Sequence, residues 1–257
     1  MIKILLVGVG KMGGALLTGW SNNTSYIIST FDPYNSDADY QFSSDIKSNF
    51  DVVILAVKPQ IMDDVAANLK HLITPETLTL SIAAGKTISF YEDILGNDRP
   101  IIRAMPNTPA LIGKGITVLC GNKNVTSSQK DLALDLLSSV GLTEWIDVEE
   151  LMDAVTAVSG SGPAYIFHMI EAMTAAGINS GLSSLLAEKL ARQTVIGSAA
   201  LAESDKETPI SHLRENVTSK GGTTEAALKI LMSDDGLTEL MTRAILDAKK
   251  RGKELAE

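Results

Sequence analysis

Short apolar runs alternate with helix-spaced segments through the first half of this chain. Residues 2–7 (Ile-Lys-Ile-Leu-Leu-Val) open as a strand, and Ala15, Leu16, Leu17 and Trp20 follow at helical spacing. Runs at 26–31, 51–57, 78–82, 101–105, 115–120 and 142–146 predict further strands. Helical patterns fall between them at 61–72, 86–95 and 126–140. The run Asp51-Val52-Val53-Ile54-Leu55-Ala56-Val57 is continuous, which suits a parallel strand buried on both faces. Alternating strands and helices predict an α/β fold, a doubly wound sheet with helices on both sides. From Asp147 the pattern changes and no strand is expected. Asp147-x-x-Glu150 predicts a capping box that starts a helix through Val158. Ser159-Gly160-Ser161-Gly162-Pro163 should then break or kink it, with Pro163 suited to the first turn of the next helix. Apolar helical periodicity continues over 164–176 and 182–202, as expected for helices that build a core or a subunit interface.

Composition sets outer bounds. The 257 residues are enough for two domains, and 45% hydrophobic content can bury a sizeable core. A net charge of −9 argues against a broad nucleic-acid surface, which needs clustered Lys and Arg. The single cysteine, Cys120, excludes an internal disulfide framework and a cysteine-based zinc cluster. Its apolar surroundings make it a small core residue, and no metal site is expected. The first strand begins at residue 2, leaving no room for a signal peptide, and the longest apolar runs are too short to span a membrane. The expectation is a cytoplasmic protein.

Candidate chemistry gathers at strand ends. Gly8-Val9-Gly10-Lys11-Met12-Gly13 is a Gly-x-Gly-x-x-Gly run between a predicted strand and a predicted helix. Gly8 allows the tight turn, Gly10 lets backbone approach a pyrophosphate, and Gly13 lets helix and strand pack closely. The helix N-terminus, opening at Lys11 and Met12, then offers free N–H groups and a partial positive charge to phosphates. Asp32 ends the second strand, where a carboxylate can accept from adenosine ribose hydroxyls. No Lys or Arg lies between Lys11 and Lys47, so a 2′-phosphate would meet a carboxylate and no local cation. On electrostatics the cofactor is NADH rather than NADPH. Asp32 with Pro33 also reads as a simple turn, and the two roles can coexist. Ala56-Val57-Lys58 ends another strand, at the edge where ligands of open α/β sheets bind. Two prolines fix a loop that presents Asn107 and Thr108. Late in the chain, Ser219-Lys220-Gly221-Gly222-Thr223-Thr224 leads into a helix. Its free N–H groups form a carboxylate-sized anion site, and an ordinary N-cap after a loop is the plainer alternative.

Together these stretches resemble pyrroline-5-carboxylate reductase, a family that reduces a cyclic imine to proline in the last step of proline biosynthesis. The resemblance rests on residues 7–13, 56–60, 103–109, 156–165 and 216–224 and spans nearly the whole chain. It implies a Rossmann domain (1–148) and an all-helical dimerisation and substrate-binding domain (149–257) that interleaves with a partner subunit, with rings of dimers common. The family usually uses NADPH, against the electrostatic reading of Asp32. It often has Pro where this chain has Lys220. On the resemblance, the Thr224 hydroxyl partners the ring nitrogen. Backbone N–H groups of Gly221, Gly222 and Thr223 and the Ser219 hydroxyl bind the substrate carboxylate. Gly8, Gly10, Lys11, Met12, Gly13, Asp32, Ala56 and Val57 hold the cofactor, with Lys58 near its ribose and Asn107 and Ser161 beside the nicotinamide. A 3-hydroxyacid dehydrogenase would instead need a Lys in the segment 159–175, which has none. His71, His168 and His212 sit in no catalytic motif and are read as structural.

Overall fold

The computed structural model describes residues 1–256. Seven strands form one sheet: β1 Ile2–Val7, β2 Tyr26–Phe31, β3 Val52–Leu55, β4 Leu78–Ser81, β5 Ile101–Met105, β6 Gly115–Gly121 and β7 Gly141–Trp145. Their order is β2-β1-β3-β4-β5-β6-β7, with every neighbouring pair parallel except β5 and β6. The connection 106–114 explains that exception. It is shorter than the crossover of about a dozen residues that a parallel return requires.

Alternation along each central strand sorts side chains to two cores. Leu5, Val7, Val53 and Leu55 pack with α2 (Met62–Leu69) and α3 (Ile88–Leu95). Ile4, Leu6, Val52 and Ile54 pack with α1 (Lys11–Trp20) and α4 (Ser127–Ser138). This is the doubly wound arrangement that the continuous apolar runs anticipate, because a strand covered on both faces has no polar side. Cys120 is buried in the first of these cores, and burial pushes its thiol up to about 12.

Several local expectations change. The α3 helix begins at Ile88, because the Thr87 hydroxyl caps it by accepting from Phe90 N at 3.2 Å. Lys86 instead pairs with Asp63 at 2.8 Å, and that contact, led by its hydrogen bond, lowers the Asp63 pKa. The capping box at Asp147 does not form. Asp147 accepts from the Trp145 indole at 3.1 Å, and the chain enters α5 (Met152–Val155) through a 3-10 turn with no side-chain cap. A capping box does form at Thr126 and Gln129, opening α4. The Gly-Ser segment interrupts the α-helix, as expected, and a new α-helix begins at Gly162. The interruption is a π-helical turn over Thr156–Gly160, closed by Ser161 N–H donating to the Thr156 carbonyl at 2.8 Å.

The described chain divides into two compact units: residues 1–161 with 248–256, and residues 162–247. The second unit contains α6 (Gly162–Asn179), α7 (Ser184–Ser204), α8 (Ile210–Asn216), α9 (Thr223–Leu231) and the start of α10 (Leu237–Ala256), the last beyond the periodic stretches read from the sequence. No strand follows β7 among the described residues. No helix among them is long and apolar enough to cross a membrane.

Candidate active site

Strand register builds the first part of the site. Val7 is level with both Phe31 and Leu55, so Gly8, Asp32 and Ala56 emerge together at one edge of the sheet. There the strand order reverses, with β2 on one side of β1 and β3 on the other, the place where open α/β sheets form a ligand crevice. A cleft of ≈ 510 Å³ occupies this edge, lined among others by Gly8, Gly10, Asp32, Ala56, Val57 and Lys58. A second cleft of ≈ 570 Å³ shares Gly10 and adds Lys11 and the loop after β5.

The glycine loop has the shape a dinucleotide needs. Gly8 lies at φ +94°, in the region that favours glycine, and a Cβ there would sit 2.9 Å from the Ala56 carbonyl oxygen. A Cβ on Gly13 would meet the Gly8 carbonyl oxygen at 2.0 Å, so helix and loop touch backbone to backbone. A Cβ on Gly10 would meet nothing within 4 Å. The α1 N-terminus has no side-chain cap and no acidic residue in its first turn. Its orphan N–H groups and dipole therefore remain available to a phosphate, and the cradle fits a pyrophosphate. Met12 contributes backbone only, since its side chain packs against the core.

Asp32 is more engaged than its sequence position suggests. Oδ2 accepts from Val9 N at 2.9 Å and Oδ1 from Tyr34 N at 2.9 Å. One carboxylate thus ties the glycine loop to the turn after β2. An ionised carboxylate has about four acceptor positions, so ribose hydroxyls can still be served. Tyr34, 93% exposed, and Asp64 also line this cleft. Neither stood out in the sequence, although Asp32-Pro33 marks the Asx-type turn that fixes Tyr34. Lys58 is exposed and forms no ion pair among the described residues.

Asn107 and Ser161 line neither cleft, but the fold brings their segments together. Asn107 Nδ2 donates to the Ser159 carbonyl at 3.2 Å, and its Oδ1 accepts from Ile116 N at 3.0 Å. The loop after β5 is therefore fastened to the π-turn that ends at Ser161. Below it, Arg103, only 5% exposed, donates to Glu149 at 2.9 Å, and the same carboxylate oxygen accepts from Ile88 N. This ion pair was not legible in the sequence, because 46 residues separate its partners.

The remaining candidates lie in the helical unit. Ser219, Gly221 and Gly222 lie in the turn between α8 and α9, and Thr223 and Thr224 open α9. Gly221 lies at φ +74°, and Gly222 is the N-cap of α9. Two of the N–H groups expected to bind an anion are already donated. Gly222 N–H bonds the Ser219 carbonyl at 3.0 Å, and Gly221 N–H bonds Glu225 Oε2 at 2.6 Å. Thr223 and Thr224 N–H, in the first turn, have no partner among the described residues. His71, His168 and His212 line neither cleft and lie outside this turn.

A family model described as pyrroline-5-carboxylate reductase dimerisation matches residues 149–255, and one described as NADP oxidoreductase, coenzyme F420-dependent, matches 3–85. The chain is 42% identical to pyrroline-5-carboxylate reductase of Pseudomonas aeruginosa, over 99% of this chain and 97% of that one. A solved pyrroline-5-carboxylate reductase from Coxiella burnetii superposes with a TM-score of 0.91 at 36% identity, covering 100% of this chain and 99% of that one. Plasmodium falciparum pyrroline carboxylate reductase, solved with NADP bound, gives 0.83 at 32% identity, covering 100% and 98%. Fold, cleft and matches define an oxidoreductase with a nicotinamide cofactor and a dimerisation region. More narrowly, the chain belongs to the pyrroline-5-carboxylate reductase family.

Proposed function

We propose that the protein reduces the C=N bond of 1-pyrroline-5-carboxylate, giving L-proline, the last step of proline biosynthesis, in the cytoplasm. The observation that carries this is the joint presence of an open glycine-loop cradle and the Ser219–Thr224 turn in one chain of this family. Residues 1–148 form the cofactor-binding domain, and 149–257 serve substrate binding and dimerisation and add Ser161 beside the nicotinamide. When bound, the reduced nicotinamide supplies the hydride that reaches the imine carbon.

The chain's residues bind and orient. Lys11, Met12 and Gly13 N–H groups take the pyrophosphate, Lys58 the ribose region, and Asn107 and Ser161 flank the nicotinamide. The Thr223 N–H and the Ser219 hydroxyl hold the substrate carboxylate. Gly221 and Gly222 shape that turn, and their N–H groups join only by leaving Glu225 and the Ser219 carbonyl. The Thr224 hydroxyl hydrogen-bonds the ring nitrogen. A protonated imine is already a strong electrophile, so positioning two rings at near-attack distance is the main requirement. That agrees with a site that employs none of the three histidines as general acid.

For the cofactor, the cleft supports NADH over NADPH. Asp32 and Asp64 line it with only Lys58 as cation, so a 2′-phosphate would be repelled. The NADP-bound relative is the observation on the other side.

Loss of absorbance at 340 nm with pyrroline-5-carboxylate, run with NADH and NADPH in parallel, tests both readings. Turnover is expected with either and higher kcat/KM with NADH. Thr224→Ala should lower kcat by on the order of 10²-fold, the scale of one lost transition-state hydrogen bond. No turnover with either cofactor overturns the reductase reading. Better use of NADPH overturns the cofactor preference alone.

A further inference from the structure

The substrate turn already holds a carboxylate of the protein's own. Glu225, the third residue of α9, reaches back so that Oε2 accepts from Gly221 N at 2.6 Å. It bypasses the N-cap, Gly222, whose N–H goes to the Ser219 carbonyl. These two bonds hold the turn on either side of Gly221, the residue at φ +74°. They also determine which donors stay open, namely the Thr223 and Thr224 N–H groups of the first helical turn.

A carboxylate beside an anion site has two opposite effects. Its charge repels the incoming carboxylate. Its hydrogen bond holds the backbone that must receive that carboxylate. Glu225 is half-exposed, so solvent and salt screen the repulsion, and the helix N-terminus offsets part of its charge. The hydrogen bond is short and made within five residues of chain, so its hold on the turn does not depend on the long-range charge that salt screens. Preorganisation is therefore the larger effect. We infer that Glu225 is a positioning residue for substrate-carboxylate recognition, holding the Gly221–Gly222 turn so that the Thr223 N–H stays free. This rests on the role proposed above for the Ser219–Thr224 turn.

Three variants separate bond from charge. Glu225→Gln keeps an acceptor of the same reach and removes the charge. Glu225→Asp keeps the charge and shortens the reach. Glu225→Ala removes both. With pyrroline-5-carboxylate varied at saturating cofactor, Ala and Asp should raise the substrate KM about three- to tenfold, the scale of one typical net hydrogen bond. Their kcat and cofactor KM should stay within about twofold, and Gln should have a substrate KM at or below wild type. A lower KM in Ala, an Asp variant equal to wild type, or a Gln variant as impaired as Ala overturns the inference. If the Ala variant fails to fold, Asp against Gln decides the same question. A Thr224→Ala loss of rate beside an unmoved Glu225→Ala KM rejects this inference and leaves the reductase reading intact. A wild-type enzyme with no turnover rejects both.

Discussion

At the scale of single residues, Asp32 shows how one side chain serves two tasks. Its carboxylate bonds Val9 N and Tyr34 N while lining the cleft at the strand ends, proposed above for the cofactor. Asp32→Ala should therefore weaken both dinucleotides by loosening the glycine loop. For NADPH, relief of repulsion offsets part of that loss. The expected result is a shift of about tenfold or more in preference towards NADPH, since about 1.4 kcal/mol is tenfold and a hydrogen bond to a charged group contributes about 1.5–3 kcal/mol. Parallel titrations of the variant with NADH and NADPH, followed by cofactor fluorescence, measure it. Equal loss for both would mean that Asp32 acts only on the loop. The identity of Asp32 as a candidate was legible in the sequence, from its place at the end of an apolar run. Its bond to Val9 was not, because 23 residues separate the two. Glu225 is the reverse case: its partner is four residues away, yet an acidic residue in a first helical turn reads as ordinary dipole compensation.

At the scale of elements, the three motif glycines are not equivalent. Gly13 allows α1 to contact the loop after β1, where a Cβ would lie 2.0 Å from a carbonyl oxygen. Gly10 borders open space in the cleft at the strand ends. Gly13→Ala should then cost about 1–3 kcal/mol of stability or more through overpacking, seen as a lowered Tm. Gly10→Ala should leave Tm nearly unchanged and raise the cofactor Kd at least several-fold, because backbone can no longer approach the pyrophosphate. Calorimetry on both variants, with and without cofactor, distinguishes them. Two equally destabilised variants would contradict the assignment. The Gly-x-Gly-x-x-Gly spacing announced the whole loop, since each glycine answers a local steric demand. The capping box at Asp147 failed for the opposite reason. The Trp145 indole reaches that carboxylate first, and the helix begins later through a 3-10 turn.

At the scale of the whole molecule, the helical unit leaves much apolar surface in the single chain. No residue of α6 is buried, and Phe167 (62%), Leu185 (79%) and Ile196 (52%) stand exposed on α6 and α7. Surface of this kind marks an interface, in agreement with the dimerisation model that matches residues 149–255. We expect sedimentation to give a homodimer built through these helices, with larger species as rings in multiples of the dimer. Phe167→Glu should shift that equilibrium to monomer and lower activity with it. A wild-type monomer that retains full activity would contradict this.

The sequence by itself determined the element types, the glycine loop, the all-helical second part and the residue types of the Ser219–Thr224 turn. Those features follow from local steric demand and from periodicity, which act over a few residues. Only the tertiary structure decided that Val7, Phe31 and Leu55 lie level, and so that Gly8, Asp32 and Ala56 share one edge. It alone joined Arg103 to Glu149 and Asn107 to Ser159, and returned β6 antiparallel to β5. Register and long-range pairing come from packing two apolar faces at once, and no local stretch of sequence carries that information.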